Sequence, residues 1–385
     1  MQELAKPPIL WLQAIIFSST LLLSLTLVPW YGFNYGYSWP IVLATVFFLG
    51  ANGLSITAGY HRLWAHNAYK AHPALRLAFA LFGAAATQNS ILIWASGHRR
   101  HHRHVDDDDK DPYSAKRGFW FSHIGWMLRE YDSAKDDFSN AGDLQRDPIV
   151  MWQHRHYLAI ALTMNLLPPI LVGLATGEMV ASLLLVGVLR LVLNHHTTFF
   201  INSLAHMWGR QPYTDENSAR DNDFLALLTY GEGYHNFHHL FQNDYRNGVR
   251  WWQFDPTKWL IKSSSWVGLT KDLNRVPNFK IHRAALVMKF KQAEQRLASA
   301  TNAERWRHCL EQEYQQFVDS LNEWNQLRQQ WYEQKRLQLS EATHELSSEL
   351  HHKWERTALH TRFKELEYSL KMQARRLDMM AMQFA

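Results

Sequence analysis

The sequence predicts an all-α integral membrane protein with four transmembrane helices and a C-terminal helical extension. Three observations predict this fold class. The 55 residues from Pro7 to His61 contain no Asp, Glu, Lys or Arg. The stretch between Arg155 and Arg190 contains only one such residue, Glu178. The 105 residues from Ile281 onward contain neither Gly nor Pro, the residues that most disfavour helix interiors.

Each of the two uncharged stretches is long enough for two membrane passes, since about 20 helical residues cross the hydrocarbon core. The first pair is predicted at Ile9–Val28 and Trp39–Gly59, joined by an aromatic and Gly-rich turn at Tyr31–Tyr37. The second pair is predicted at Tyr157–Thr176 and Met179–Ile201. Together these pairs give four spans.

The segment Ala74–Trp94 is also apolar, but Arg76, Gln88 and Asn89 interrupt it. We therefore expect an interfacial helix rather than a fifth span. The turns within the two pairs carry no Lys or Arg, whereas the histidine-rich segments are rich in both, so the positive-inside rule places both termini and those segments in the cytoplasm. The net charge of +5 suits an anionic inner leaflet and requires no nucleic acid.

Nine of the 22 histidines form three boxes and one isolated position near the ends of these spans. They are His61 and His66 in HRLWAH, His98, His101 and His102 in HRRHH, His206 in NSLAH, and His235, His238 and His239 in HNFHH. Spacings of three and four place side chains on one helix face, so the boxes and His206 can surround two metal ions. Imidazole binds Fe, Zn, Cu or Ni, so ligand type does not choose the metal. The alternative is adventitious metal binding by a His-rich loop, but the boxes lie at membrane boundaries rather than in one tract.

The sequence segments around the boxes indicate which family of metal-binding membrane proteins the chain resembles. The relevant segments, in order, are GLSITAGYHRLWAH (Gly53–His66), HRRHH, DPYSAKRGFWFSH (Asp111–His123), NSLAHMWGRQPY (Asn202–Tyr213) and GEGYHNFHHLFQNDYRNG (Gly231–Gly248). From about Ile41 to Arg250 the chain resembles the membrane-bound fatty acyl desaturases, specifically the acyl-CoA delta-9, stearoyl-CoA desaturase-like type and its bacterial relatives. A bacterial inner membrane is therefore the expected location.

This resemblance implies a mushroom-shaped fold of four spans with a cytoplasmic helical cap that holds a di-iron centre. It implies that all nine box histidines are ligands and that Asn202 contacts one metal through a water. Glu232 and Asp111 are candidate acceptors for the second ring N–H of a ligand, whereas most of Asp106–Asp109 is expected to be a solvated acidic loop. His104, His123, His154, His156 and the histidines of the tail are not expected to be ligands.

The resemblance also assigns a substrate path. Gln88, Trp94 and Thr198 fall where the resembled enzymes line the kink of the acyl tunnel. Lys116 and Arg117 match a basic pair that contacts the phosphates of CoA, and basic side chains suit phosphates. Ser96 and Gly97 stand where the animal enzymes have an Arg-Asp pair, so an acyl chain esterified in phospholipid remains an alternative substrate. His195 is expected to border the tunnel or support the site, and Arg190 to pair within the protein.

The expected chemistry is oxygen-dependent insertion of a cis double bond into a saturated acyl chain. Desaturation of an unactivated chain requires a metal that activates O2, which redox-inert zinc does not provide. The sequence has one cysteine, Cys309, no haem-attachment motif and no dinucleotide fingerprint, so a separate reductase or ferredoxin-like protein is expected to supply electrons. The alternatives are a di-iron lipid hydroxylase or alkane monooxygenase and, from another class, a metal transporter, which the absence of ionisable residues in the first two spans disfavours.

The tail is predicted to form long helices, and the domain division is predicted at 1–280 and 281–385. A seam of apolar residues, interrupted by Arg328 before Trp331, is typical of a coiled coil or helical hairpin. Its members are Leu310, Tyr314, Phe317, Leu321 and Trp324, followed later by Leu359, Phe363, Leu366 and Leu370. The tail serves either electron-donor docking or homo-oligomerisation, or it forms a helical pair packed on the cap.

Overall fold

The computed structural model describes residues 7–297, 303–340 and 346–383, with side chains described for residues 7–297, 307–333 and 357–382. The chain forms two compact units. The first contains the described residues up to Gln211 together with Glu216–Arg275, and the second contains Pro212–Asp215 and the described residues from Val276 onward. The sequence boundary at residue 280 falls inside the helix Asn278–Leu297, and the domain division remains a prediction.

Four helices of the first unit are long and apolar enough to cross a membrane. We call them spans 1 to 4: Trp11–Tyr35, Trp39–Ala65, Tyr157–Thr176 and Met179–Met207. The predicted fold class is therefore confirmed, and span 3 has the predicted bounds. Span 1 continues to Tyr35, so the predicted turn at Tyr31–Tyr37 is wrong and the connection is only three residues long.

Spans 2 and 4 extend beyond their predicted ends, and each contains a π-helical segment. In span 2 the α-helix Trp39–Leu54 continues as a π-helix at Ser55–Ala65. In span 4 a π-helix at Leu183–Leu189 precedes the α-helix Arg190–Asn202. Such π segments often occur at functional sites. Both extensions carry histidines of the predicted metal site.

The predicted interfacial helix Ala74–Trp94 is wrong as a single element. The structure has one helix at Pro73–Ala84 and another at Ile91–His104. Between them, Thr87 and Asn89 adopt positive φ angles of 50° and 72°. Buried apolar residues flank this break on both sides, so hydropathy alone did not reveal it.

The remainder of the first unit consists of short elements that complete the cap. Helical segments occupy Ala115–Arg117, Phe119–His123, Gly125–Met127, Asp132–Ala134, Gly142–Gln145, Pro148–Arg155, Asp223–Leu228, His235–Leu240 and Pro256–Trp266. The strand Lys70–Ala71 pairs antiparallel with Thr270–Lys271. A buried core that includes Tyr60, Phe79 and Ile261 joins the end of span 2 to these elements.

Arg190 lies inside span 4 and is 2% exposed. Its guanidinium donates to the backbone oxygens of Val186 and Ala85 and to the side-chain oxygen of Asn165, at 2.9 to 3.0 Å. Asn52 supplies a further oxygen when its amide takes the orientation that satisfies both of its ends. These neutral oxygens solvate a charge that lipid could not, in accord with the predicted structural role.

Three helices form the main part of the second unit: Asn278–Leu297, Ala303–Ser340 and Leu346–Gln383. Their core consists of Phe279, Leu286, Phe290, Ala293, Leu297, Leu310, Phe317, Leu370 and Leu377, with Leu321 and Trp324 packed against it. Leu310, Phe317 and Leu370 of the predicted seam lie in this core, to which the helix Asn278–Leu297 also contributes. Trp324 and Phe363 also meet across the two long helices, with ring centroids 6.3 Å apart. Tyr314, predicted in the seam, is 51% exposed.

Candidate metal centre

Nine histidines of the first unit lie in two groups, each of which could hold one metal ion. The five-histidine group contains His61, His66, His98, His102 and His238, and the four-histidine group contains His101, His206, His235 and His239. Within each group the candidate ligand atoms lie within 4.8 Å of one another. These are the nine histidines that the sequence predicts, and no other described residues form such a group.

The second and third boxes each contribute to both groups. His98 and His102, four residues apart on one helix, join the five-histidine group, while His101 between them joins the other. The third box has the opposite arrangement: His235 and His239 join the four-histidine group, and His238 joins the five-histidine group. A helix presents residues i and i+4 on one side, with i+3 displaced around the axis. The H-x2-HH pattern thus lets one helix turn serve two ions.

The two histidines of the first box are brought together by a different backbone geometry. His61 and His66 are five residues apart, a spacing that on an α-helix turns the side chains about 140° away from each other. The box, however, lies on the π-helix Ser55–Ala65, and the His66 N–H donates to the His61 carbonyl at 3.1 Å. This i to i+5 bond brings both rings into one group, with centroids 4.8 Å apart.

The spacing of the imidazole nitrogens fits shared metal ions. In the five-histidine group the Nε2 atoms of His66 and His98 are 2.9 Å apart, as are those of His102 and His238. In the four-histidine group the Nε2 atoms of His206 and His235 are 3.1 Å apart. Two nitrogens at right angles around an ion, with bonds of about 2.1 Å, would lie about 3.0 Å apart. All the nitrogens compared are Nε2, so the rings converge through the same atom.

Burial keeps these rings in the form that binds metal. Desolvation lowers the pKa of His98 and His238 well below the usual value, and neighbouring histidines lower it further. The same causes lower the pKa of His235 and His239. A neutral imidazole has a lone pair for a metal, whereas a protonated one does not.

Glu232 anchors the five-histidine group. Its Oε2 accepts from His61 Nδ1 at 3.0 Å, and its Oε1 accepts from Arg62 at 2.7 Å. Arg62 also donates to Asp255 at 3.1 Å, and Asn247 donates to Glu232 at 2.6 Å. Burial alone would raise the pKa of Glu232, but Arg62 and His61 outweigh it and lower that pKa to about 2. Glu232 therefore fixes the orientation of the His61 ring, the role that the sequence suggests for it. The sequence did not predict that Arg62 holds Glu232 in place.

The acidic loop anchors the four-histidine group. Asp111 Oδ1 accepts from His101 Nδ1 at 2.9 Å, and the carboxylate is 1% exposed. His206 Nδ1 lies 2.8 Å from the Ser218 hydroxyl, which donates to Asp106. Asp106 also accepts from the Ser218 backbone N–H at 2.7 Å. The prediction for Asp111 fits this geometry. Asp106 is half-buried and bonded, so it is an exception to the solvated loop predicted for most of Asp106–Asp109.

Asn202 does not share a continuous helix with His206. The helix Arg190–Asn202 ends at Asn202, and Ser203, with φ −108° and ψ −80°, separates it from the turn Leu204–Met207. The argument that a spacing of four places both side chains on one face is therefore wrong. Asn202 is half-buried at this helix end, and its water-mediated metal contact remains a prediction.

The three predicted tunnel residues are joined by hydrogen bonds beside the five-histidine group. Gln88 Nε2 donates to Thr198 Oγ1 at 3.0 Å, and Trp94 Nε1 donates to Gln88 Oε1 at 3.3 Å. The Trp94 ring stacks on His98 with centroids 4.9 Å apart. His195, expected to border the tunnel or support the site, lies 2.8 Å from the hydroxyl of Thr87 in the break that carries Gln88. It thus supports this arrangement.

The predicted head-group residues lie on the surface. Lys116 and Arg117 are exposed on the short helix Ala115–Arg117, and the Arg117 guanidinium sits 3.6 Å from the centroid of Phe121. Ser96, in contrast, is buried and its hydroxyl donates to Asn140 at 2.8 Å. A Cβ atom added at Gly97 would meet no atom within 4 Å.

The histidines excluded as ligands have other partners. His123 lies 3.0 Å from His196 and 3.0 Å from the Ser203 hydroxyl. His154 lies 2.7 Å from the hydroxyl of Ser90, the residue that precedes the helix of the second box. Neither belongs to a metal-binding group, nor do His104 and His156. The side chains of His351 and His352 lie outside the described residues.

Four helices long and apolar enough to cross a membrane and two buried histidine groups define a membrane protein that could hold two metal ions. Residues 37–265 match the family model described as fatty acid desaturase, so the chain belongs to that family. A probable acyl-CoA desaturase of Schizosaccharomyces pombe is 47% identical over 65% of this chain and 52% of its own length. Acyl-CoA desaturase 1 of Saccharomyces cerevisiae is 42% identical over 67% of this chain and 51% of its own length.

The chain spans about half the length of these two yeast relatives. It is also 36% identical to the sn-2 palmitoyl-lipid 9-desaturase of Nostoc sp., over 71% of this chain and 93% of that protein. The relatives therefore include proteins named for acyl-CoA and one named for acyl-lipid.

Proposed function

We propose that this chain is an oxygen-dependent fatty acyl desaturase that inserts a cis double bond, at the delta-9 position, into a saturated acyl-CoA. The observation that carries the proposal is the pair of histidine groups beside the bonded residues Gln88, Trp94 and Thr198, in a chain of the desaturase family. The reaction removes two hydrogens from the acyl chain and reduces one O2 to two waters with two electrons and two protons.

Two iron ions, held by the nine histidines, would supply the activation of O2. The residues of the chain itself hold the rings in place. Glu232 and Asp111 accept the Nδ1 protons of His61 and His101, which fixes Nε2 as the ligand atom. The buried surroundings exclude bulk water, which would otherwise compete for the open positions on the metals.

Positioning of the acyl chain falls to Gln88, Trp94 and Thr198. Their hydrogen bonds link the break after the Pro73–Ala84 helix to span 4, so the Trp94 ring is fixed against His98. An acyl chain that packs along Gln88, Trp94 and Thr198 passes next to the five-histidine group at a constant depth. Constant depth is what selects one carbon pair over its neighbours, because methylene groups are otherwise nearly alike.

Acyl-CoA is the favoured substrate because Lys116 and Arg117 are exposed and suited to phosphate. The Arg117 guanidinium, held over Phe121, is pre-ordered for such a contact. The acyl-lipid alternative has support from the Nostoc relative and from Gly97, which has no side chain and open space beside it.

The remaining parts of the proposal concern partners and location. We propose that a separate reductase or ferredoxin-like protein delivers the electrons, and that the site and both termini face the cytoplasm of a bacterial inner membrane. We also propose homo-oligomerisation through the C-terminal helices, and the proposed reaction requires no nucleic acid.

The direct test is lipid profiling by mass spectrometry after expression in a host that lacks desaturase activity. We expect mono-unsaturated chains with the double bond at carbon 9. Hydroxylated chains would instead support the lipid hydroxylase, and an unchanged profile from iron-loaded protein with a competent electron donor would overturn the proposal.

The substrate class is tested by the double variant Lys116→Ala/Arg117→Ala in reconstituted vesicles. If the contact binds phosphate equally in ground and transition states, KM for acyl-CoA rises more than kcat falls. Salt should weaken acyl-CoA binding in the parent and less so in the variant. Lys110→Ala, another exposed lysine of the cap, is the matched control. Turnover of intact phospholipid without turnover of acyl-CoA would overturn the acyl-CoA assignment.

A further inference from the structure

A patch of exposed apolar side chains lies beside the third histidine box. Trp208, Phe224, Leu227 and Leu228 are 51%, 57%, 55% and 40% exposed. The last three share the helix Asp223–Leu228, and the Trp208 and Phe224 rings have centroids 6.1 Å apart. We call these four residues the apolar patch. A contiguous patch of large apolar side chains marks an interaction surface.

We propose that the apolar patch inserts into the leaflet of the bilayer on the side of the cap and sets the depth of the third histidine box. The depth of the patch follows from Tyr230, two residues after Leu228. The Tyr230 hydroxyl donates to the Leu49 carbonyl at 3.2 Å. A Cβ atom at Gly53 would lie 2.2 Å from the Tyr230 ring, so the ring packs directly on span 2.

Leu49 and Gly53 lie within the membrane-crossing part of span 2. Counted from Trp39 at 1.5 Å per residue, they are roughly 15 and 21 Å along the helix. The hydrocarbon core is about 30 Å thick, so Tyr230 reaches span 2 below the membrane surface. A protein partner that stays in the aqueous phase would not reach this level, whereas the acyl chains of the leaflet extend to it.

The ends of the patch agree with an interfacial position. Trp208 follows Met207, the last residue of span 4, and Trp side chains favour the membrane–water interface. At the other edge, Arg210 Nη2 pairs with Asp223 Oδ2 at 2.6 Å, and both side chains are more than half exposed. Residues 224–230 carry no charge. A polar rim followed by an uncharged helix face is the pattern of an interfacial helix.

The inner side of the same helix is coupled to the metal centre. Leu225 and Ala226 are fully buried, and a Cβ atom at Gly233 would lie 2.2 Å from the Ala226 backbone nitrogen. The Asn222 N–H donates to the Gly233 carbonyl at 2.8 Å. Gly233 lies between Glu232 and His235, so the depth of the patch also fixes the depth of the third box. The position of the apolar patch in the leaflet therefore sets the depth of the metal-binding histidines of the third box relative to the lipid surface.

The test uses site-directed spin labels in full-length protein reconstituted into phosphatidylcholine vesicles. Cys309 is the only cysteine, so Cys309→Ser provides a background for single labels. Phe224→Cys and Leu227→Cys place labels on the patch, and Asp109→Cys, in the exposed part of the acidic loop, is the control. Collision of each label with O2, which concentrates in lipid, is compared with collision with a water-soluble nickel chelate.

We expect both patch labels to collide several-fold more with O2 than with the nickel chelate, and the control label to show the opposite ratio. A patch label that collides mainly with nickel overturns the proposal, because the patch then faces water. Patch labels shielded from both agents overturn it as well, because a second copy or another protein then covers the surface.

Discussion

The two histidine groups differ in what holds them in place. The five-histidine group rests on Glu232, which is 1% exposed and bonded to Arg62 and Asn247 in the interior. The four-histidine group rests on the acidic loop, through Asp111 directly and through Asp106 by way of Ser218. One group is therefore anchored by a carboxylate paired with a buried arginine, and the other by two carboxylates of the acidic loop, of which Asp106 is only half-buried. We expect the four-histidine group to release its metal more readily.

The groups also differ in the room that they would leave on a bound ion. Five imidazoles would nearly fill the coordination sphere of an octahedral ion, whereas four would leave space for further ligands. Asn202, predicted to act through a water, is a candidate for one such position. The five-histidine group is the one that contacts Trp94, through the ring of His98.

The largest effect is expected from removal of a ligand in either group. His238→Ala and His101→Ala should each abolish desaturation, because both metals are required, while the protein still inserts in the membrane. Product analysis by mass spectrometry checks the activity and membrane fractionation checks insertion. His360→Ala, an exposed histidine of the tail, is the control and should leave activity unchanged. Wild-type product levels from either ligand variant would contradict the two-metal interpretation.

A smaller but clear effect should separate the two anchors. Glu232→Gln leaves the buried Arg62 with one carboxylate fewer, so we expect a loss of about 3 kcal/mol in the free energy of unfolding. Asp111→Asn removes a carboxylate that has no arginine partner, and about 1–2 kcal/mol is expected. Unfolding of the metal-free proteins in detergent measures both. Equal losses in the free energy of unfolding would contradict the distinction between the two anchors.

The third prediction concerns Asp106 and Ser218. Asp106→Asn and Ser218→Ala should each weaken metal binding in the four-histidine group by about 10–100-fold, the usual effect of losing an outer hydrogen-bond partner. The five-histidine group should be unaffected. Competition with a chelator measures both affinities, and Asp109→Asn, a neighbouring exposed carboxylate, is the control. A variant that weakens both metals equally would argue against separate anchoring.

The fourth prediction concerns the pH dependence of stability in the metal-free protein. Burial lowers the pKa of His98, His235, His238 and His239 below the 6.5 expected in the unfolded chain. The unfolded state therefore binds more protons below pH 6.5, so stability is fully present above that pH and declines as the pH falls below it. Thermal unfolding between pH 5 and 8 measures this. A thermal unfolding midpoint that increases as the pH falls below 6.5 would contradict this prediction.

The sequence predicted the spans and the nine histidines because hydropathy and box spacing are local signals. It did not predict the π-helix that joins His61 to His66, since that depends on how span 2 packs in the cap. Arg62 and Asp106 were missed as anchors because their partners, Glu232 and Ser218, lie more than 100 residues away. The break at Thr87 was missed because buried apolar residues flank it. Tertiary contacts, rather than composition, decided each of these features.

Removal of iron from active enzyme by a chelator, followed by metal analysis, tests the central claim most directly. The account predicts two irons per chain that leave in two phases, the faster one from the four-histidine group. Asp106→Asn should accelerate the fast phase and leave the slow phase unchanged. A single phase that accelerates as a whole in this variant, or full activity in a preparation that holds only zinc, would contradict two iron sites with separate anchors.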